Sequence, residues 1–338
     1  MADMADISVI VCTHNPRPEY LRRVLDALNA QTLPKEEWEL LFIDNASDLP
    51  LAEAWAISWH PLARHFREDR LGLTPARLRG IAESRGDFLV FVDDDNVLAP
   101  NYLQAARNLM MEHSHLGVIG AGVLEPEFAV KPTSELVSHL GYLALRRAPR
   151  DLWSTNTDDL TCVPWGAGLC VRRQVADSYR QLAQRLDMTE LLDRRGDRLF
   201  GDGDVAFSWA SAAAGRGFGV SCALHVTHLI SADRLTQQYF LRLAHDSNFS
   251  SGVLQYLRAG IPPGDSHSRV ERWVRLILHG IRRGLFSMRF NQAALAGTDA
   301  AKRFIEERCL RPVAGAISPR EATKRTNDDA RNGLPDHE

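Results

Sequence analysis

Short apolar runs that end abruptly in polar clusters set the plan of the first hundred residues. Ile7–Cys12 (ISVIVC) reads as a buried strand, and Tyr20, Val24, Leu25 and Leu28 then recur at helical spacing. Leu40–Ile43 (LLFI) is a second strand, closed by Asp44-Asn45-Ala46-Ser47. A helical stretch around Pro75–Ser84 precedes a third strand, Phe88–Val92, introduced by the turn Gly86-Asp87. Strands that alternate with helices predict an α/β fold with a mostly parallel sheet flanked by helices. Ligands of such open sheets bind beyond the carboxyl ends of the strands. Those ends carry Thr13-His14-Asn15, Asp44-Asn45 and Asp93-Asp94-Asp95, three polar clusters on one inferred edge.

Farther along, the pattern loosens. Glu125–Pro164 reads as long connections and short elements, a region suited to facing substrate. Gly168–Arg172 (GLCVR) predicts a strand followed by a helix through Leu186. Asp204–Ala214 predicts a helix, Phe218–Leu224 (FGVSCAL) a further strand, and the chain is helical in pattern from Thr236. In Ser268–Arg289, Val270, Trp273, Val274, Ile277, Leu278, Ile281 and Leu285 share a face bordered by Arg269, Arg272, Arg275, Arg282, Arg283 and Arg289. Such a helix suits a peripheral contact with an anionic membrane, or packs its apolar face on the rest of the protein. Ile317–Glu338 is polar and charged throughout and reads as disordered.

Composition narrows the class. A chain of 338 residues, 45% hydrophobic and 25% charged, is ordinary for a globular protein, and a net charge of −3 gives no general attraction to nucleic acid. No run approaches the roughly 18 apolar residues of a spanning helix. MADMADISVIVCTHN lacks a basic start, and its apolar run is too short for a signal peptide. The five cysteines are scattered without a C-x-x-C pair, so reduced thiols in a cytoplasmic protein are expected.

The triplet in FLVFVDDDNVLAP poses the chemical question, because three adjacent carboxylates repel one another. A hard divalent cation with oxygen ligands would offset that repulsion, bind a diphosphate and stabilise it as a leaving group. A solvated acidic turn is the alternative, and spacing alone leaves both open.

DISVIVCTHNP, ELLFIDNASD and FLVFVDDDN, in this order, resemble the nucleotide-binding half of glycosyltransferase family 2. The resemblance implies a GT-A fold, a Rossmann-like α/β domain. It also implies inverting transfer of a sugar from a UDP-, GDP- or dTDP-sugar, assisted by Mn²⁺ or Mg²⁺, to a glycan or lipid-linked acceptor. On that reading residues 1–230 form the transferase domain, with 1–100 binding nucleotide and 101–230 supplying the acceptor and catalytic half. Residues 231–316 form a helical extension and 317–338 a tail. Thr13 and Asn15 lie near the nucleotide, and Asp44 and Asn45 read base and ribose, with Asn45 standing where the family carries a second acid. REDRLGLTPARLRG brings Arg77 as a nucleotide or phosphate contact. Asp93 and Asp94 lie near ribose or sugar, and Asp95 is the metal ligand, helped by Asp93.

The second half extends the likeness. DRRGDRLFGDGDVAFSWASAAAGRGF resembles the family segment that opens the acceptor helix. It places Asp204 as the catalytic base that takes the acceptor proton, with Asp202 close enough to share the role. Gly203 and Ala206 replace acids frequent in the family, and helix N-capping is the alternative for either aspartate. Pro164-Trp165-Gly166-Ala167-Gly168 matches a loop lining the donor sugar, with Trp165 as an aromatic wall; a tight turn with a core tryptophan is equally open. HVTHLISADRL places His228, ahead of His225, at the metal or diphosphate, against a purely structural histidine. GDGDVA also fits G-x-G-x-x-A, but no buried strand precedes it, so it is not a dinucleotide fingerprint.

Two other classes stay in view. A nucleotidyltransferase should carry a glycine-rich loop after the first strand, and THNPRPEY contains no glycine. A catalytically impaired relative that binds sugar nucleotides or glycans would accommodate Gly203 and Ala206. The expected location is the cytoplasm, at the inner face of the membrane if residues 268–289 make that contact.

Overall fold

No residue of the first strand, β1 (Ile7–Thr13), is exposed, so the strand must be covered on both faces. The computed structural model, which describes residues 6–185, 194, 198–264 and 284–312, shows how. Ile7, Val9 and Val11 point to one side and pack with Leu21, Val24, Leu25 and Leu28 of helix Pro18–Asn29 and with Tyr102, Leu103 and Ala106 of helix Tyr102–Glu112. Ile10 and Cys12 point to the other, against helices Leu73–Glu83, Arg173–Arg185 and Gly203–Ala213. The period-two alternation of a strand thus feeds two cores, and the molecule is a three-layer α/β arrangement.

The other strands are β2 (Trp38–Asn45), β3 (Ala63–Glu68), β4 (Phe88–Asp93), β5 (Asn96–Leu98), β6 (Leu116–Phe128), β7 (Arg146–Arg147), β8 (Leu152–Ser154), β9 (Leu169–Arg172) and β10 (Gly217–Ile230). Their order is β3-β2-β1-β4-β9-β6-β10-β5, with β7 beside β6 and β8 beside β10. The long ladders, β3-β2-β1-β4 and β6-β10, are parallel. Short β5, β7, β8 and β9 run against their neighbours. The sheet is therefore mostly parallel, as the alternating pattern predicts. Thr13 pairs with Asp44 and Cys12 with Asp93, so the three polar clusters do end on one edge.

The sequence pattern passes over β3, β5 and β6. β3 (ARHFRE) is half-buried at the margin of the sheet, so it has no apolar run to betray it. β6 runs 13 residues and begins outside the segment read as irregular; only its last residues, together with short helical turns and β7 and β8, fall within 125–164. β10 is twice the length expected from FGVSCAL and carries a register shift between Ser221 and His225. That length delivers His228 to the far end of the sheet, opposite Asn96 of β5.

The chain then turns through Ala232–Leu235 into helix Gln237–Ala259, capped by the Thr236 hydroxyl accepting the Tyr239 N–H at 3.2 Å. That helix packs along helix Leu285–Glu307 through Phe249, Val253, Leu257, Ala301 and Ile305. Among the described residues no helix is long and apolar enough to cross a membrane. Of the basic segment 268–289, residues 268–283 lie outside the described residues, as does the tail from 317.

Candidate active site

At the end of β2 the polar side chains engage the nearby backbone and Arg67. Asp44 Oδ1 accepts the Ser47 N–H at 3.0 Å, and Oδ2 accepts the Leu51 N–H at 3.2 Å and Arg67 Nη1 at 2.8 Å. Burial pushes its carboxyl up, but the Ser47 and Leu51 hydrogen bonds and the Arg67 charge outweigh it and hold the group below the ordinary carboxylate value. Asn45 Nδ2 donates to the carbonyls of Arg70 (2.8 Å) and Glu68 (3.3 Å), and its Oδ1 accepts the Gly72 N–H at 2.8 Å. Only an amide can both donate and accept here, which gives a structural reason for the missing acid. Asn15, in the left-handed region (φ 46), links the two loops through Ser47 and Asp48.

The end of β4 is built differently. Thr13 Oγ1 donates to Asp94 Oδ2. Burial, followed by the charges of Asp95 and Asp93, lifts the Asp94 carboxyl to about 7 against that hydrogen bond. Asp93 is also raised, by burial first, although Arg77 Nη2 stands 4.0 Å from its Oδ1. At Asp95 burial is outweighed by His228, Arg234 and Arg194, and the carboxyl lies far below its ordinary value. Asn96 Nδ2 bridges Asp95 Oδ1 (2.8 Å) and Asp93 Oδ2 (3.3 Å). Asp95 Oδ2 meets Arg234 Nη1 at 2.8 Å and His228 Nε2 at 3.4 Å.

The Trp165–Gly168 loop lies between this cluster and Asp204. A Cβ on Gly166 would stand 2.6 Å from Arg77 Nη2 and 3.9 Å from Asp204 Cβ, so only glycine lets the backbone pass between them. Asp204 Oδ2 accepts the Gly166 N–H at 2.9 Å, and its Oδ1 accepts the Val205 N–H at 2.9 Å. Asp93, Arg77, Gly166 and Asp204 thus form a continuous line from the triplet to the first turn of helix Gly203–Ala213. Gly168 (φ 71) faces the interior, where Tyr102 Oη donates to its carbonyl at 2.6 Å. Trp165 packs on the core, with Arg146 over its ring at 4.6 Å. Asp202 takes the left-handed N-cap position (φ 72) without a capping bond and accepts from Ser250 Oγ at 3.0 Å.

Of the residues expected from sequence, Thr13, Arg77, Asp93, Asp94, Asp95, Gly166, Asp204 and His228 come together. Asn15, Asp44 and Asn45 border them as loop fasteners, while Asp202, Trp165 and Gly168 turn away toward helix 237–259, Arg146 and Tyr102. Sequence reasoning missed the cations. Arg234 contacts Asp95 directly, Arg194 adds to the field on all three aspartates, and Arg146 lies within electrostatic reach of Asp204. Three adjacent acids demand positive partners, but nothing in the linear pattern says which of the many arginines answers.

The donor set at Asp95 and His228 fits a divalent cation. An oxygen and a nitrogen 3.4 Å apart can both face one ion, and buried Asn96 Oδ1 and His228 Nδ1 have no hydrogen-bond partner among the described residues. Among the described residues no three His, Cys, Asp or Glu side chains converge, so further ligands would come from substrate phosphate or water, as is usual for Mg²⁺.

Residues 8–150 match the family model described as Glycosyl transferase family 2. It is 32% identical to glycosyltransferase AglE of Haloferax volcanii over 26% of this chain and 30% of that protein. It is 28% identical to the poly(ribitol-phosphate) beta-N-acetylglucosaminyltransferase TarS of Staphylococcus aureus, over 40% of this chain and 25% of that one. The matches therefore span about a third or less of these relatives. The crystal structure of S. aureus TarS 1-349 aligns over 89% of this chain and 91% of that one with 12% identity and a TM-score of 0.46, below the level at which a shared fold follows.

Proposed function

We propose that the protein is an inverting glycosyltransferase that moves a sugar from a nucleotide-diphosphate sugar to an acceptor hydroxyl on a glycan or lipid-linked glycan. The observation that carries this reading is the line Asp93–Arg77–Gly166–Asp204, which joins an acidic cluster at the carboxyl edge of a parallel sheet to a carboxylate at a helix start. The match of residues 8–150 to the glycosyl transferase family 2 model supports it.

In this reading the nucleotide lies over the ends of β1 and β4, with Arg77 as the cation for its phosphates. Asp44 and Asn45 shape the base and ribose pocket through the loops they fasten. Asp204 takes the acceptor proton while the acceptor oxygen forms its bond to the anomeric carbon and the bond to diphosphate breaks on the opposite face. The helix N-terminus and both N–H groups favour the ionised form a base needs. Asp95 and His228 would hold Mn²⁺ or Mg²⁺, which when bound would stabilise negative charge on the departing diphosphate.

The test is Asp204→Asn assayed for nucleoside-diphosphate release from UDP-, GDP- and dTDP-sugars, with donor binding measured alongside. Loss of turnover by about 10² to 10⁴ with binding retained is expected. Unchanged turnover removes Asp204 as the base. Binding without turnover in the unmutated protein would favour the impaired sugar-nucleotide-binding relative.

A further inference from the structure

Arg234 is the rim residue that the proposed chemistry leaves without a role. Its Nη1 lies 2.8 Å from Asp95 Oδ2 and 3.0 Å from His228 Nε2, and those two atoms are 3.4 Å apart. One guanidinium nitrogen therefore fills the notch between a carboxylate oxygen and an imidazole nitrogen. All three side chains are largely buried, at 9%, 19% and 6% exposure for Arg234, Asp95 and His228. A divalent cation held by the same two atoms would stand about 2.0–2.2 Å from each, inside the same notch. Two positive groups cannot share it, on grounds of volume and of charge.

The arginine is also held from behind. Its backbone N–H donates to the Ser231 carbonyl at 3.1 Å, Nε donates to Tyr239 Oη at 3.1 Å, and the guanidinium lies 5.7 Å from the Tyr239 ring centroid. The turn Ala232–Leu235 and helix Gln237–Ala259 therefore present the cation to the rim.

We propose that the notch between Asp95 Oδ2 and His228 Nε2 is a single cation position, occupied at rest by Arg234 and open to a divalent metal only when that side chain withdraws. This rests on the metal ligands of the proposed function and adds a competitor for them. An arriving diphosphate offers the displaced guanidinium a charge-assisted partner, so metal and donor enter together and metal alone binds weakly.

The experiment is a Mn²⁺ titration of the full chain followed by the electron paramagnetic resonance of free Mn²⁺, without nucleotide. The proteins compared are the unmutated chain, Arg234→Met and the double variant Arg234→Met/Asp95→Asn. Arg234→Met should bind one Mn²⁺ at least tenfold more tightly than the unmutated protein, and Asp95→Asn should cancel the gain. Equal affinities with and without Arg234, or a gain that survives Asp95→Asn, overturn the proposal. If the methionine variant fails to fold, Arg234→Gln keeps a hydrogen-bond donor without the charge and is held to the same two outcomes. The readout needs neither donor nor acceptor. A chain that transfers no sugar would still show the competition, and an active chain without the gain refutes this inference alone.

Discussion

The loops after β1 and β2 and the loop after β4 meet the same edge with similar polar residues, yet they are built in opposite ways. The side chains of Asp44 and Asn45 bond to nearby backbone and to Arg67, and each carboxylate or amide atom fastens a turn. Around Asp93, Asp94 and Asp95 like charges crowd together, one carboxyl is lifted to about 7, and buried Asn96 Oδ1 and His228 Nδ1 have no hydrogen-bond partner among the described residues. A polar cluster that satisfies itself holds shape, whereas one left short of partners is prepared for something that arrives. Residue type does not separate the two cases; the direction of the hydrogen bonds does.

The sharpest way to break this contrast lies in the two glycines of the Trp165–Gly168 loop. Gly168→Ala places a methyl 2.4 Å from the buried Tyr102 Oη in a left-handed backbone, and it should cost about 3 kcal/mol in urea unfolding. Gly166→Ala meets the guanidinium end of Arg77 at 2.6 Å and no backbone; it should cost about 1 kcal/mol while weakening nucleotide binding, because Arg77 is pushed off its line to Asp93. Similar stability losses for the two variants would abolish the distinction between a structural and a site glycine.

An effect between those two is expected at Asn45. Asn45→Asp turns lone pairs toward the Arg70 and Glu68 carbonyls that the amide now satisfies. A loss of about 2 kcal/mol is expected by the same denaturant measurement. A neutral result would mean that an acid is tolerated there and that the amide is not a fastener.

An effect confined to acid pH lies at the opposite end of β2, where the His60 and Trp38 rings pack 4.0 Å apart. Burial first, then the Lys35 charge, lowers His60 from 6.5 to about 4. The unfolded chain therefore takes up a proton between these values while the folded chain does not, so stability falls as pH drops from 6.5 toward 4. His60→Phe should flatten that part of the urea midpoint against pH, and an unchanged slope would remove His60 as its cause.

Much of this was legible along the chain. ISVIVC, LLFI and FLVFV are apolar because their strands are buried on both faces, and their polar ends follow from a sheet whose edge meets water. β3 was not legible, since a half-buried marginal strand needs no apolar run. The helix-start position of Asp204 could be read from the pattern, but its hydrogen bond to Gly166, 38 residues earlier, could not. Arg77 could be read only through the family resemblance. Arg234 stood unmarked in HVTHLISADRL, 139 positions from the aspartate it meets.

The sequence by itself determined the alternation of strands and helices, the sheet edge on which the acids gather and the helix that carries Asp204 in its first turn. Those features depend on local periodicity and on the side of a strand to which each residue points. Only the tertiary structure decided which polar groups fasten loops, which glycine lets Arg77 lie beside Asp204 and which cation sits on Asp95. Those outcomes depend on distances between residues far apart in the chain, where hydrogen bonds and charges act over a few ångströms that sequence spacing does not encode.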